Sequence, residues 1–332
     1  DGIWDQDEEA IATTGEDGAY TLTNAEGSIV LHGGTDAATG LAFKGVLEAP
    51  AGSTVVTPLT TIMNKLIDAG LASDVAGAQT MVKAALGINN SVDLTSFDPV
   101  AAAVSGDPAV AAVGVEIASQ GVAVQNLVVQ AAAAVNASSD LGWNASTSNV
   151  YEAMATYIES LSGGELMPEG NTPTQNITTL QGLVEGAAQV ANLAPADFAE
   201  VQAVSEAVAT VMYEGVTQLQ NAVDASAGSV SALIEMAEAA VVAQDNSADA
   251  IAAAVDAVEA DAADTSLLST LVTSYSGANL DAALDAATIA DVTGASVNDQ
   301  PVLPMTPPHL GMVFEDGTTL ISETDLLQGV TD

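Results

Sequence analysis

The sequence predicts a mainly α protein: an alanine-rich multi-helix bundle with a small antiparallel β module at the N-terminal end and a short β segment at the C-terminal end. Three observations predict it. Hydrophobic residues make up 48% of the 332 but aromatic residues only 3%. Alanine supplies roughly a fifth of the chain, so the core must be built from small side chains at close helix contacts. From Thr57 onward apolar residues recur at helical spacing, whereas both ends carry Gly-rich turns and β-forming runs.

Residues 1–52 read as a partial β-sandwich-like module. Strand-forming runs occupy 19–22, 28–32 and 41–47, and Asp17-Gly18 between residues 11–14 and 20–22 is a hairpin signal, because Asp-Gly adopts the positive φ of a tight turn. Residues 53–292 form the helical domain. Four of its helix starts are marked by a capping residue followed by proline: Thr57-Pro58, Asp98-Pro99, Asp107-Pro108 and Thr172-Pro173. The cap oxygen accepts an orphan N–H, and proline at the first helical position has none to satisfy. Helices are expected over 57–69, 74–86, 98–105, 107–136, 146–162, 173–192, 195–226, 228–244, 247–261, 264–275 and 279–288. Leu59, Ile62, Met63, Leu66 and Ile67 share one apolar stripe, as do Val201, Val204, Val208, Val211 and Met212.

The stretch 109–135 is long enough to span a bilayer and carries one charge, Glu116. Gln120, Gln125, Asn126 and Gln130 interrupt it, and no Lys or Arg flanks it to set a topology, so a buried central helix is expected and no membrane span. Residues 293–310 hold Pro301, Pro304, Pro307 and Pro308, a stiff linker. Residues 311–332 return to strand character as the start of a following β module. The chain reads as one stretch of something longer.

Charge narrows the function further. Three lysines (Lys44, Lys65, Lys83) stand against 44 acidic residues, a formal net charge of −41. Such a chain repels phosphate backbones, so no nucleic-acid partner is expected. It is suited to salty or calcium-rich surroundings, where its carboxylates are screened or bridged. Without cysteine there is no disulfide, thiolate metal site or thiol nucleophile.

The most specific motif is at the start: Asp1, Gly2, Asp5 and Glu8 have the spacing of the second half of a D-x-D-x-D-G calcium loop. Glycine permits the sharp turn, alternate carboxylates face the ion, and the last glutamate can bind through both oxygens. Ca2+ is therefore the expected ion. His32 and His309 lie far apart in sequence, and pairs such as Asp256 with Glu259, or Glu235 with Glu238, read as solvated acidic faces rather than acid and base. N-x-S/T sequons begin at Asn89, Asn136, Asn144 and Asn176. No catalytic constellation emerges, and an enzyme is not expected.

The run from Asp1 through Glu9, followed by Thr13-Thr14-Gly15-Glu16-Asp17-Gly18, resembles the calcium-loop and strand signature of B-type or carboxypeptidase-regulatory-like modules in bacterial surface proteins. Ala49-Pro50-Ala51-Gly52, running on to Thr57-Pro58-Leu59, resembles the junction from such a module into an alanine-rich helical region. The segment from Phe314-Glu315-Asp316-Gly317 to Leu327 is similar to the opening strand of cadherin-like repeats in giant RTX-type adhesins. The resemblance implies an extracellular, calcium-dependent, multidomain protein of the bacterial cell surface, with Glu315 and Asp316 as calcium ligands at the next repeat.

The function expected is non-enzymatic: a structural or adhesion module, acting as spacer or assembly unit of an adhesin, filament or surface layer. Its partners would be neighbouring domains or subunits of the same protein, with homo-oligomers or filaments formed by strand addition. The alternative is a ligand-binding module recognising a glycan or protein surface. For that reading Trp143, in the polar run 138–144, is the aromatic residue of interest.

Overall fold

A computed structural model of the chain describes residues 12–15, 18–22, 27–89, 91–139, 141–168, 170–262 and 265–290. Asp1, Asp5, Glu8, Glu315 and Asp316, the 293–310 linker and the C-terminal β segment lie outside the described residues.

The chain is mainly α, as expected. Its described strands are β1 (Ile29–His32) and β2 (Val46–Ala49), paired antiparallel with Ile29 opposite Ala49 and His32 opposite Val46. The expected strand over 41–47 is displaced toward the C-terminus because Gly45, at φ +114°, breaks the extended run. The Gly15 N–H is bonded to Ala19 O at 2.8 Å and the Gly18 N–H to Gly15 O at 3.0 Å, but residues 19–22 form no strand. A short turn alone does not hold two strands together without a surface to bury them.

β2 is buried along its whole length. Its outer edge is closed by threonines: the Val46 N–H donates to Thr147 Oγ1 at 3.3 Å and the Glu48 N–H to Thr61 Oγ1 at 2.9 Å. Thr60 Oγ1 donates to Glu48 O at 2.9 Å. Helix side chains thus satisfy backbone groups that would otherwise invite another strand. Leu47 belongs to the same buried cluster as the helices, so the hairpin shares their core.

Helices follow in order: α1 (Pro58–Asp68), α2 (Val75–Ala85), α3 (Pro99–Ala103), α4 (Pro108–Ala137), α5 (Trp143–Ser160), α6 (Pro173–Val190) and α7 (Pro195–Ala225). Then come α8 (Ser229–Val241), a π-helical segment (Val242–Ser247), α9 (Ala248–Ala260), α10 (Ser266–Ser274) and α11 (Gly277–Asp285). All four cap-proline pairs start helices. Thr57, Asp98, Asp107 and Thr172 each accept a backbone N–H of the first turn, and Thr57 and Thr172 form reciprocal capping boxes.

α4 is the axis of the bundle, packing against α1, α3, α5, α6, α7, α8, α9 and the π segment. It is apolar on nearly every side, which suits a helix surrounded by others. By length and apolarity it could cross a membrane, yet 61% of its most apolar stretch is buried inside the fold. Ala131, Ala132, Ala133 and Ala134 are almost wholly buried, and their small size lets neighbouring backbones approach. Gly114 carries this furthest: a Cβ placed there would lie 2.2 Å from the Ala103 backbone nitrogen, so α3 rests directly on the α4 backbone. A second cluster, formed by Ala118, Leu219, Val223, Leu233 and Met236 with their neighbours, joins α4, α7 and α8.

After α11 the chain returns to the hairpin tip, where the Ala290 N–H donates to Ala38 O at 2.9 Å.

Candidate functional site

Between the strand pairs His32 with Val46 and Thr35 with Ala42, the second limb of the hairpin carries an extra residue. This is a β-bulge, and Gly45 supplies its positive φ. The bulge seats the hairpin on the first turn of α5 so closely that a Cβ on Gly45 would meet Thr147 Oγ1 at 2.5 Å. Thr147 Oγ1 in turn donates to Trp143 O at 2.9 Å.

Lys44, the residue before the bulge, reaches a part of the chain 200 residues away in sequence. Its Nζ donates to Gln244 O at 3.0 Å and lies 3.5 Å from both Asp245 Oδ1 and Asp249 Oδ1. The same ammonium stands 5.3 Å from the centroid of the Trp143 ring, within cation–π range. One side chain therefore ties the hairpin to α5, the π segment and α9. Trp143 is the first residue of α5 rather than a loop residue, half-buried against the main core, with Lys44 over its ring.

Behind Lys44, the π segment meets α4 through amides. Gln244 Nε2 donates to Asn126 Oδ1 at 2.9 Å, Gln130 Nε2 donates to Ser247 Oγ at 2.8 Å, and Ser247 Oγ donates to Ala243 O at 3.0 Å. π-helical turns recur at functional sites because the extra residue re-aims neighbouring groups. Here it faces a narrow cavity of about 20 Å3 lined by Asn126, Gln130, Ser247 and Tyr275 among others, room for about one water. Burial pushes the Tyr275 phenol above its ordinary value, and Asp249 and Asp245 add to the effect.

A second polar centre lies under β2. Lys65 Nζ is 2.5 Å from Glu48 Oε1, with the Glu48 and Lys65 side chains only 12% and 14% exposed. Asn64 Nδ2 donates to Glu48 Oε2 at 2.8 Å and to Asp68 Oδ2 at 2.8 Å. Nearby, the buried Tyr151 hydroxyl donates to Gln125 Oε1 at 2.6 Å; burial holds this phenol well above its usual range, with the Glu48 charge contributing.

The third lysine borders an open cleft of about 520 Å3 with Gly87, Asn89, Gly164 and Glu165. Lys83 Nζ donates to Val92 O. Burial lowers its pKa while Asp93 opposes the shift.

All three lysines thus join segments of the fold to one another, a role that charge counting does not reveal. Of the amides that interrupt the apolar run of α4, Gln125, Asn126 and Gln130 are likewise matched across helices. Asp256 and Glu259 stand exposed on α9, and His32 ends β1 with its side exposed. Among the described residues no group of three or more His, Asp or Glu side chains is placed to hold a metal. Comparison with known proteins finds no matching family, no similar curated protein and no similar solved structure.

Proposed function

We propose that this chain is a non-enzymatic structural or adhesion module of a large extracellular bacterial surface protein, stabilised by calcium at its flanks. The observation that carries the reading is the use of the three lysines. In a chain of net charge −41, each cation holds secondary-structure elements or loops together, and the buried amides of α4 do the same. Polar chemistry inside the bundle serves cohesion, while the acidic exterior favours a medium rich in salt or divalent ions. The spacing of Asp1, Asp5 and Glu8, and the carboxylates Glu315 and Asp316, supply calcium-ligand chemistry on both flanks.

Two measurements test this. Titration of the full chain with Ca2+ and with Mg2+, read by thermal unfolding, is expected to give a saturable gain specific to Ca2+. An equal response to both ions would reduce the effect to screening and remove calcium from the proposal. Immunogold labelling of intact source cells is expected to decorate the outer surface; label confined to the cytosol would overturn the localisation.

A further inference from the structure

The hairpin tip, which precedes the helical block in the chain, touches the segment that follows its last helix. Its geometry is fixed from within: Asp36 Oδ1 accepts the Ala38 N–H at 2.8 Å and the Thr39 N–H at 3.2 Å, and Asp36 O accepts the Gly40 N–H at 2.8 Å. Held in this turn, Ala38 presents its carbonyl to the Ala290 N–H at 2.9 Å. A Cβ on Gly40 would stand 3.3 Å from Ala290 Cβ, so the two segments touch. A few residues on, Lys44 fastens the same hairpin to Gln244, Asp245 and Asp249, and Val46 fastens it to Thr147.

From these contacts we infer that the tip is a mechanical latch, which makes the helical block a closed side lobe rather than a length of the line along which the chain transmits tension. Between Ala38 and Ala290 lie roughly 250 residues, which drawn out would span on the order of 850 Å. In the folded chain the two ends of that length meet at the hairpin tip. A pull applied outside the pair passes from the hairpin to the segment at Ala290 through the latch, while Lys44 and Val46 hold the hairpin itself to the bundle. The lobe is then a reserve of length, released as one large extension once the latch opens. This concerns the mechanics of the fold and does not depend on the extracellular reading.

The test is force spectroscopy on the full chain held by its two termini. The wild type is expected to show one large release, on the order of 850 Å, beginning only above a threshold force. Lys44→Ala is expected to open faster at fixed force by roughly tenfold, the factor implied by losing one charged hydrogen bond, with helix content unchanged by circular dichroism. Helices leaving one by one below the threshold, equally in wild type and Lys44→Ala, would overturn the latch. Because the chain has no native cysteine, Ser28→Cys with Thr288→Cys gives a second readout by paired dyes. High energy transfer in the folded chain, falling in the Lys44→Ala background before helicity is lost, supports the latch; low transfer in the folded chain without the lysine change overturns it.

Discussion

Lys44 Nζ lies 5.3 Å from the Trp143 ring centroid while donating to Gln244 O, a residue 200 positions away in sequence. Lys44→Ala removes a charged hydrogen bond to a carbonyl, a cation–π contact and two solvent-exposed ion pairs. Their combined loss is expected to cost about 2 kcal/mol. Urea unfolding followed by tryptophan fluorescence checks it. Lys44→Met, which keeps most of the apolar stem against the ring, is expected to recover a minor part.

Gly45→Ala is expected to be more damaging than its size suggests. The new methyl meets Thr147 Oγ1 at 2.5 Å and Cγ2 at 2.6 Å on a backbone at φ +114°. Overpacking and the unfavourable φ together cost about 2–4 kcal/mol. Thr147→Ala in the same chain should restore only part of the loss, since Thr147 Cβ is itself 2.9 Å from the new atom. A double-mutant cycle in urea measures this directly.

Gly114→Ala tests the contact between α3 and α4. Its methyl cannot be absorbed by a side-chain rotation, because the atoms it meets are Ala103 N at 2.2 Å and Ala102 C at 2.6 Å. A loss of about 2–3 kcal/mol is expected despite the better helix propensity of alanine. Faster hydrogen exchange confined to residues near 99–103 would identify displacement of α3 as the cause.

The Glu48–Lys65 pair is buried, so its two halves are not equivalent to their sum. Lys65→Met leaves a carboxylate under β2 with Asn64 as its remaining donor, at an expected cost of about 3 kcal/mol. Glu48→Gln with Lys65→Met removes both charges and is expected to be clearly less destabilised than Lys65→Met alone. Thermal unfolding of the three variants decides it.

The pH response has a predicted sign at each end. Burial, with Glu235 and Asp285 nearby, raises the Glu238 carboxyl above its ordinary 4.5. Burial with Glu259 and Asp197 does the same for Glu200. The folded state therefore holds these protons more tightly than the unfolded state. The resulting stabilisation is full below about 4.5 and is lost as pH rises through the raised values. At low ionic strength, lowering pH from about 7 to 5 should raise the melting temperature, and about 1 M NaCl should flatten the slope. At the alkaline end, the Tyr151 phenol is held well above its ordinary 10.0. Stability is then lost as pH rises above that value, and Tyr151→Phe should flatten the decline, though it leaves Gln125 without its donor.

Much of this architecture was legible before any coordinates. Cap-proline pairs carry their signal within a few residues, and Thr57, Asp98, Asp107 and Thr172 all cap helices where that local chemistry places them. α5 starts earlier than expected because its cap is Gly142 at φ +79°, without a side-chain bond to announce it. The expected helices 228–244 and 247–261 leave a break at Asp245-Asn246. It is instead a π segment that continues the helix and turns Gln244 and Ser247 toward Asn126 and Gln130. Periodicity does not encode such a widened turn, and nothing near Lys44 in sequence names a partner in another part of the chain. The candidate site was the least legible part because its residues converge only through tertiary packing.

The threonine-lined side of β2 also bears on how copies of this chain can associate. Strand-mediated polymerisation needs two receptive margins, one to give and one to receive, whereas a single margin supports no more than a closed pair. Thr61 and Thr147 already take up the backbone N–H groups on one flank of the described sheet, so a strand joining this hairpin on that side would have to displace them.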